Sequence, residues 1–390
     1  MSITRRLNIL FAAERLLPAA GGAERFSLEV LTLLAVRHGI RARWLRDLAT
    51  GAGSQKLPDE VEGVAVTPPP SADAYWLDKR IRGERVATAV DDALHRRRAD
   101  VVLTQLHAAP AVIAASQRFG VPTVLLLPSY ESFCKYAFDA GSECRPSSRC
   151  RSCPRALALG APERAELWRA REAHEAALCS ATALVAPSEA VADASQRWCG
   201  RRPVVVPSVT AGLRPARASL RGHLLLAAAQ WNRNKGLDLL GPIARRVAPR
   251  RVVITTAGLS PGHRRCLTSL SNVIVRANAP LPDLIEGAAV VLMPSQMPET
   301  FGRIAFEALS AGVPVLASAL GGLKEFVPPD LLVEEHANPV AWAEAVTSLD
   351  HPGRWERARR RGPVVTASVL ADRPVETIER LFSRTVAAVV

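Results

Sequence analysis

Residues Pro294–Val327 read PSQMPETFGRIAFEALSAGVPVLASALGGLKEFV and contain the pattern that predicts the fold of the chain around them. The apolar run Ala289–Met293 stops where this stretch begins, so the loop emerges from the carboxyl end of a buried strand. Apolar residues at helical spacing then predict a helix over Arg303–Ala311, and Val313–Ala317 is the next predicted strand. Because ligands of open α/β sheets bind at the carboxyl ends of strands, the stretch predicts a ligand site.

The chemistry of that site is suggested by its glycines and carboxylates. If Gly302 opens the helix, the free N–H groups of the first turn point at the strand ends and can bind a diphosphate. Gly321-Gly322 is expected to lie across from it. Glu299 before the helix and Glu307 within it flank the anion site. Such carboxylates accept hydrogen bonds from hydroxyl groups, as on a ribose or a hexose.

The same stretch closely resembles the Glu-x7-Glu signature of the retaining glycosyltransferases of family 4, E-P-F-G-x-x-x-x-E-A-x-x-x-G-x-P-V followed by G-G. A bare pair of glutamates at this spacing is typical of a solvated helix face, so the whole string carries the resemblance. The matching residues are Glu299, Phe301, Gly302, Glu307, Ala308, Gly312, Pro314, Val315 and Gly321-Gly322.

The resemblance implies roles for individual residues of the motif. Glu307 is expected to hold the ribose of a nucleotide-sugar donor, and Glu299 with the backbone at Phe301-Gly302 to hold the sugar and its phosphate. Thr300 replaces the usual proline of the family. Thr300 and Arg303 are also assigned to donor binding, and Glu299 is a candidate catalytic residue as well.

Composition limits the class of protein. A chain of 390 residues with 48% hydrophobic content is long enough for two domains. The net charge of +13 would by itself suggest nucleic acid or an anionic membrane, but only five of the fifty basic residues are lysines. That arginine excess favours a diffuse basic surface, as in a protein from a GC-rich bacterial genome, and we expect no nucleic-acid partner.

Location is predicted from hydrophobic patterning and cysteine usage. No run approaches the length of a membrane helix, and the N-terminus lacks the apolar core and cleavage site of a secretory signal. Seven cysteines, an odd number, do not resemble a secreted disulfide framework. We expect a cytoplasmic protein, with peripheral membrane contact as the less favoured alternative.

The N-terminal residues predict a second phosphate site. Asn8–Ala13 reads as a strand, Glu14–Gly22 as its loop and Ala23–Arg37 as an amphipathic helix. Gly21 and Gly22 let the backbone approach an anion at the helix N-terminus, although an ordinary flexible turn would have the same composition. The run G-G-A-E-R also resembles the N-terminal motif of the family, which implies donor binding, and the dinucleotide motif G-x-G-x-x-G is absent.

His107 follows the predicted strand Ala99–Thr104. Members of the family that the chain resembles carry histidines just after this strand, within the sugar-binding cleft, which implies a catalytic role for His107. A lone histidine is more often an ordinary core or surface residue without a function. Gln105 could equally occupy the position that matches the family histidine. Further along, PSYESFC (Pro128–Cys134) aligns with the family sequence H-D-Y-W-x-x-C and keeps only its tyrosine and cysteine. The lost His-Asp pair leaves the acceptor chemistry open.

Lys235 is the candidate for stabilising the leaving diphosphate in the second domain. It lies between the predicted strand His223–Ala229 and the predicted helix Leu237–Val247, and the sequence around it resembles the family pattern Lys-Gly-x-Asp-x-Leu. A positive charge there stabilises the departing phosphate, whereas the alternative is a solvated lysine at a helix end. Gln230 replaces an arginine usual in relatives, and Arg233 is predicted to supply that charge.

Four cysteines, Cys134, Cys144, Cys150 and Cys153, fall within about twenty residues of low apolar content. The spacing of the last two is typical of a metal knuckle, so we hypothesise one structural zinc ion, with a disulfide pair and incidental thiols as alternatives. Cys179, Cys199 and Cys266 are predicted to be plain thiols.

These patterns predict an α/β protein of two doubly wound Rossmann-like domains facing across a cleft, the GT-B fold that the resemblance implies. The predicted parts are an acceptor domain over 1–207 with a cysteine-rich loop at 134–153, a nucleotide-sugar domain over 208–374, and a helix over 375–390 that returns to the first domain.

The resemblance implies a retaining glycosyltransferase that uses a nucleotide-sugar, with UDP- and GDP-sugars favoured, and no catalytic metal. The acceptor is open among a small molecule, a glycan and a lipid, and a monomer or homodimer is expected. The alternatives are a nucleotide-sugar epimerase or hydrolase on the same fold, and a non-catalytic donor-binding scaffold protein.

Overall fold

The computed structural model describes residues 8–13, 25–31, 41–47, 61–66, 75–133, 153–208, 214–228, 230–276, 279–371 and 374–387. It divides into two compact units. The first comprises Met1–Val209 with Arg373–Val390, and the second comprises Thr210–Asp372. The predicted boundaries, at 207 and 374, lie within a few residues of these.

The first unit is built on a seven-stranded parallel sheet of order β3-β2-β1-β4-β5-β6-β7. Its strands are β1 (Asn8–Ala12), β2 (Arg41–Asp47), β3 (Val61–Val66), β4 (Val101–Gln105), β5 (Thr123–Leu126), β6 (Ala183–Ala186) and β7 (Val204–Val205). Successive strands are added toward one edge of the sheet from β1 to β3 and toward the other edge from β4 to β7. Strands β1 and β4 are neighbours and pair in parallel, with Ile9 opposite Val101. This is a doubly wound topology with its switch point between those two strands.

Helices cover both faces of this sheet. They are α1 (25–31), α2 (Tyr75–Arg96), α3 (Ala109–Arg118), α4 (Pro154–Leu157), α5 (Ala161–Ser180), α6 (Glu189–Cys199) and the final helix α13 (Pro374–Ala387). Alternate residues of β1 serve opposite faces, because Phe11 packs with Phe26 of α1 and Leu10 packs with Val90 of α2. Ser188 is the N-cap residue of α6, since its hydroxyl oxygen accepts a hydrogen bond from the N–H of Val191 at 3.3 Å.

The final helix α13 belongs to the first core. Ile378 and Phe382 are fully buried among the apolar side chains of β1, β4 and β5. Each such burial contributes about 1.5–3 kcal/mol, so the end of the chain is held to the first unit by packing.

The second unit has a six-stranded parallel sheet of order β10-β9-β8-β11-β12-β13. Its strands are β8 (His223–Leu226), β9 (Val252–Thr255), β10 (Val273–Arg276), β11 (Ala288–Met293), β12 (Val315–Ser318) and β13 (Leu332–Val333). Every residue of β11 is buried, as expected for a central parallel strand covered on both faces. The switch point lies between β8 and β11.

The helices of the second unit are α7 (Leu240–Arg246), α8 (Pro261–Thr268), α9 (Leu281–Ile285), α10 (Arg303–Ser310), α11 (Pro339–Ser348) and α12 (Pro352–Ala371). They enclose one continuous apolar core with the sheet. One predicted helix differs from the structure, because the helix expected over Leu237–Val247 begins with a 3-10 turn before α7. The last helix of the unit, α12, continues past Pro363 to Ala371.

The predicted class of fold, two doubly wound α/β domains, is confirmed by the two sheets. The sequence patterns did not indicate β3, α3, α4 or α8. In the part of the chain that the structure describes, no helix is long and apolar enough to cross a membrane.

Candidate functional site

The candidate site lies in the second unit, where two loops leave the carboxyl ends of β8 and β11 at the switch point. The loops contact each other through their backbones, since the N–H of Gln296 donates to the carbonyl oxygen of Asn234 at 2.8 Å. Gly236, with a φ of +80°, has no space for a side chain because a Cβ there would overlap the carbonyl oxygen of Pro294. This close approach places Lys235 beside the loop that carries the Glu-x7-Glu string.

Lys235 and Glu299 form an ion pair at the centre of the site. The Nζ atom of Lys235 lies 2.6 Å from Oε1 of Glu299, and the Oγ atom of Ser295 donates to the same oxygen at 2.5 Å. Glu299 is 7% exposed, whereas the side chain of Lys235 is 35% exposed. Burial alone would raise the pKa of Glu299, but the charge of Lys235 and the two hydrogen bonds hold that pKa below its ordinary value.

The backbone of Glu299 is fixed as well. Glu299 forms an isolated parallel bridge with Gly321, and its carbonyl oxygen accepts a hydrogen bond from the N–H of Gly322 at 2.8 Å. The Gly-Gly pair therefore lies against the motif loop, as the sequence predicted. Both the main chain and the carboxylate of this residue are thus held in place.

The N-terminus of α10 adjoins this loop. Gly302 is its N-cap residue with a φ of +94°, a conformation that favours glycine, and no side chain caps the helix. The rings of Phe301, Phe306 and Phe326 pack with centroids 5.2–5.4 Å apart beneath this turn. The uncapped first turn presents N–H groups and the positive end of the helix dipole, which suits a phosphate.

Glu307 lies on α10, eight residues after Glu299 in the sequence. Its Oε1 atom is 3.3 Å from Nη2 of Arg303, and both side chains are mostly buried. The structure thus brings together five of the predicted donor-binding residues and one predicted catalytic residue, Glu299, in a single loop and helix. The five are Thr300, Phe301, Gly302, Arg303 and Glu307.

Arg233 has a different environment from Lys235. Its side chain is 88% exposed and lies 3.3 Å from Asp238. Gln230 is also exposed. The cation that contacts the buried carboxylate is therefore Lys235, two residues along the same 3-10 turn.

The first-unit candidates are distant from these residues in the sequence, and their side chains have a different environment. His107 is buried, its ring stacks on His174 with centroids 5.3 Å apart, and its Nε2 atom is 4.0 Å from Glu131. The alternative candidate Gln105 is buried too, and its side chain accepts a hydrogen bond from Ser27 of α1. Burial lowers the pKa of His174 to about 4. The catalytic role of His107 stays a prediction.

Several predicted residues lie outside the described part of the chain. They are Gly21, Gly22, Cys134, Cys144 and Cys150. Of the predicted metal ligands only Cys153 is described, as a half-buried free thiol packed against the first core. Within the described ranges no group of three or more potential metal ligands occurs.

Sequence reasoning missed Ser295 and Gln296, and it included Gly236 only as part of the Lys-Gly-x-Asp-x-Leu pattern. Ser295 and Gln296 were inside the quoted stretch, and a hydroxyl residue immediately after a buried strand is a signal that could have found Ser295. The contact between Gly236 and Pro294 joins residues far apart in the chain, and no local pattern indicates it.

A known protein family matches the part of the chain that contains these residues. Residues 222–350, which contain all of the second-unit candidates, match the family model described as Glycosyl transferases group 1. This match covers most of the second unit and supports a glycosyltransferase domain there. The loops that follow β8 and β11 carry Lys235 and Glu299, within the matched range.

Bacterial relatives share sequence with the chain over different lengths. D-inositol 3-phosphate glycosyltransferase 1 of Catenulispora acidiphila is 29% identical over 86% of this chain and 85% of its own length. D-inositol 3-phosphate glycosyltransferase of Kineococcus radiotolerans is 37% identical over 27% of each chain. These similarities, together with the family match, support a glycosyltransferase function.

Solved structures share the fold across both units. Sucrose-phosphate synthase from Thermosynechococcus elongatus superimposes with a TM-score of 0.75 at 16% identity, covering 98% of this chain and 100% of that one. Anabaena HepE in complex with UDP-glucose gives 0.70 at 18% identity, with 98% and 100% covered. The chain has the GT-B fold of these proteins.

Proposed function

We propose that the protein is a retaining glycosyltransferase of family 4 that transfers a sugar from a nucleotide-sugar donor to a hydroxyl group of an acceptor. One observation carries this proposal. The Lys235–Glu299 ion pair and the uncapped N-terminus of α10 lie at the switch point of the domain that matches the group 1 family.

The donor is proposed to bind through complementary charges. The positive end of α10 and the ammonium group of Lys235 bind the diphosphate, and Glu307 accepts hydrogen bonds from the ribose. Glu299 accepts from hydroxyls of the sugar. Solved GT-B structures with UDP and UDP-glucose bound favour a UDP-sugar as the first donor to test.

The proposed reaction breaks the bond between the anomeric carbon and the diphosphate oxygen. The acceptor oxygen forms its new bond on the same face of the sugar, so the anomeric configuration is retained, and its proton passes to the departing phosphate oxygen. Lys235 stabilises the negative charge that develops as the diphosphate leaves, an effect of several kcal/mol in a water-poor site. The resemblance implies no divalent metal in this step.

A phosphorylated polyol is the acceptor class that we propose. The relatives are named as inositol 3-phosphate glycosyltransferases, so inositol 3-phosphate is the acceptor to test first. Its hydroxyls supply the nucleophile.

The test is a transfer assay with purified protein, inositol 3-phosphate, and UDP-, GDP-, ADP- and dTDP-sugars in turn. We expect a glycoside of retained configuration from one donor class. Lys235→Ala should lower kcat more than it weakens donor binding, because its charge matters most as the diphosphate departs. An epimerised or hydrolysed donor without transfer would favour the epimerase or hydrolase alternative, and donor binding with no turnover would favour a scaffold protein.

We also propose that Cys134, Cys144, Cys150 and Cys153 bind one structural zinc ion. An all-cysteine site would order a segment too polar to order itself by burial. Elemental analysis of chelator-free protein should give about one zinc per chain, reduced by Cys153→Ser and unchanged by Cys266→Ser, which replaces an exposed thiol. Zinc-free protein with unchanged stability would contradict this proposal.

A further inference from the structure

We propose that Ser295 is a positioning residue that aims the carboxylate of Glu299 at the donor sugar; this role rests on the proposed function. Ser295 is the second residue after β11 and is 1% exposed. Its position at the strand end and its burial both restrict the motion of its hydroxyl group. The hydroxyl is therefore a fixed donor on the rigid side of the site.

The hydrogen bonds to Glu299 are unevenly shared between its two oxygens. Ser295 Oγ and Lys235 Nζ both donate to Oε1, at 2.5 and 2.6 Å. In the described part of the chain no side chain donates to Oε2. This arrangement uses one oxygen for support and leaves the other to accept a hydroxyl of the bound sugar.

The two supporting donors differ in stiffness. Lysine has a long flexible stem, and the side chain of Lys235 is 35% exposed, whereas serine has a single side-chain torsion before its oxygen. A carboxylate held by Lys235 alone can follow the ammonium group as it moves. Ser295 prevents this, because it ties Oε1 to the end of β11 while the bridge to Gly321 fixes the backbone of Glu299.

Ser295 also helps to keep Glu299 ionised in a buried position. Burial disfavours the carboxylate, and the bonds from Lys235 and Ser295 offset that cost and lower the pKa of Glu299. Loss of the serine hydroxyl should therefore raise this pKa and also release the carboxylate from its orientation.

The experiment compares Ser295→Ala with Ser295→Thr and with a matched control. The control is Ser318→Ala, which removes another buried hydroxyl in the same unit, one that donates to the carbonyl oxygen of Met293 at 3.2 Å and not to Glu299. For each variant, kcat, KM for UDP-glucose (or for the donor that the transfer assay identifies) and the pH dependence of kcat/KM are measured.

We expect Ser295→Ala to lower kcat/KM about tenfold, mostly in kcat, and to move the acidic limb of the pH profile to higher pH. Ser295→Thr should restore both, and Ser318→Ala should change neither. An unshifted acidic limb in Ser295→Ala, or an equal shift in Ser318→Ala, would overturn the positioning role. If the alanine variant does not fold, Ser295→Cys, which nearly preserves volume but is a weak donor, must show the same shift.

A second readout does not depend on turnover. The carboxylate of Glu299 is titrated by NMR in protein carrying ¹³C-labelled glutamate, with Glu299→Gln to assign the signal. A higher midpoint in Ser295→Ala supports the role, and an unchanged midpoint refutes it. A wild-type protein that turns over no nucleotide-sugar would refute the proposed function alone, because this titration would still report on Ser295.

Discussion

The carboxyl edges of the two sheets have the same topology and different side-chain chemistry. At the switch point of the second sheet, a buried carboxylate is paired with a half-exposed lysine and the loops are joined by backbone hydrogen bonds. After β4 of the first sheet, the ring of His107 stacks on His174 inside the core. The edge of the second sheet has an ion pair next to an uncapped helix N-terminus. At the edge of the first sheet, two titratable histidine rings are buried against each other.

This difference shows that a switch point determines where a ligand can bind but not which groups will meet it. In the second unit, Lys235 compensates the charge of Glu299 and keeps it ionised. In the first unit, burial without a partner charge lowers the pKa of His174 to about 4 and keeps that ring neutral near pH 7. The following predictions test the contrast, in order of expected effect.

Glu299→Gln should have the largest effect because it removes the charge at the centre of the second-unit edge while keeping the shape of the side chain. We expect kcat/KM for transfer to fall about 100- to 1000-fold, as for loss of a group that acts in the transition state. The control is Glu356→Gln, which breaks a half-exposed ion-pair cluster on α12. Equal activity of the two variants would contradict a role of Glu299 in the reaction.

His174 should make the first unit sensitive to acid. Between pH 6.5 and about 4 the unfolded chain binds a proton at this ring that the folded chain does not, so the free energy of unfolding falls as the pH drops through that window. The loss levels off at about 3 kcal/mol below the folded pKa. Denaturant unfolding of His174→Phe should show a flatter slope over this window.

The exposed His95 provides the matched control for that measurement. His95→Gln should keep the wild-type slope, since it replaces an exposed ring and leaves His174 in place. An unchanged slope in His174→Phe would mean that the first-unit histidine is not held neutral by burial.

Glu307→Ala should weaken donor binding by about 1.5–3 kcal/mol, because a charge-assisted hydrogen bond to the ribose is lost. Calorimetric titration with the nucleotide-sugar measures this directly. Glu344→Ala, which truncates an exposed glutamate on α11, should bind as the wild type does. A donor affinity unaffected by Glu307→Ala would contradict the ribose role.

Arg233→Ala should have the smallest effect. Its ion pair with Asp238 is exposed, and such pairs contribute about 0–1 kcal/mol, so we expect a change of a few-fold in donor affinity. A loss as large as that of Lys235→Ala would instead show that Arg233 supplies the main charge on the diphosphate.

Much of the fold could be predicted because local sequence encodes it. The apolar runs of β1 and β11 indicate strands buried on both faces, and Ser188 and Gly302 are residues that start helices. The strand β3 was missed because VEGVAV is short and has a glycine within it, which weakens the pattern.

The sequence by itself determined the alternation of strands and helices, the place of the Glu-x7-Glu string at a strand end, and the spacing of Glu299 and Glu307. These depend on residues close together in the chain, where backbone sterics and periodic burial act. Only the tertiary structure decided that Lys235 pairs with a carboxylate 64 residues away, and that His107 stacks on His174. Such contacts depend on strand order, on how closely loops can approach, and on which buried groups must share a partner, and none of these is a property of a local stretch.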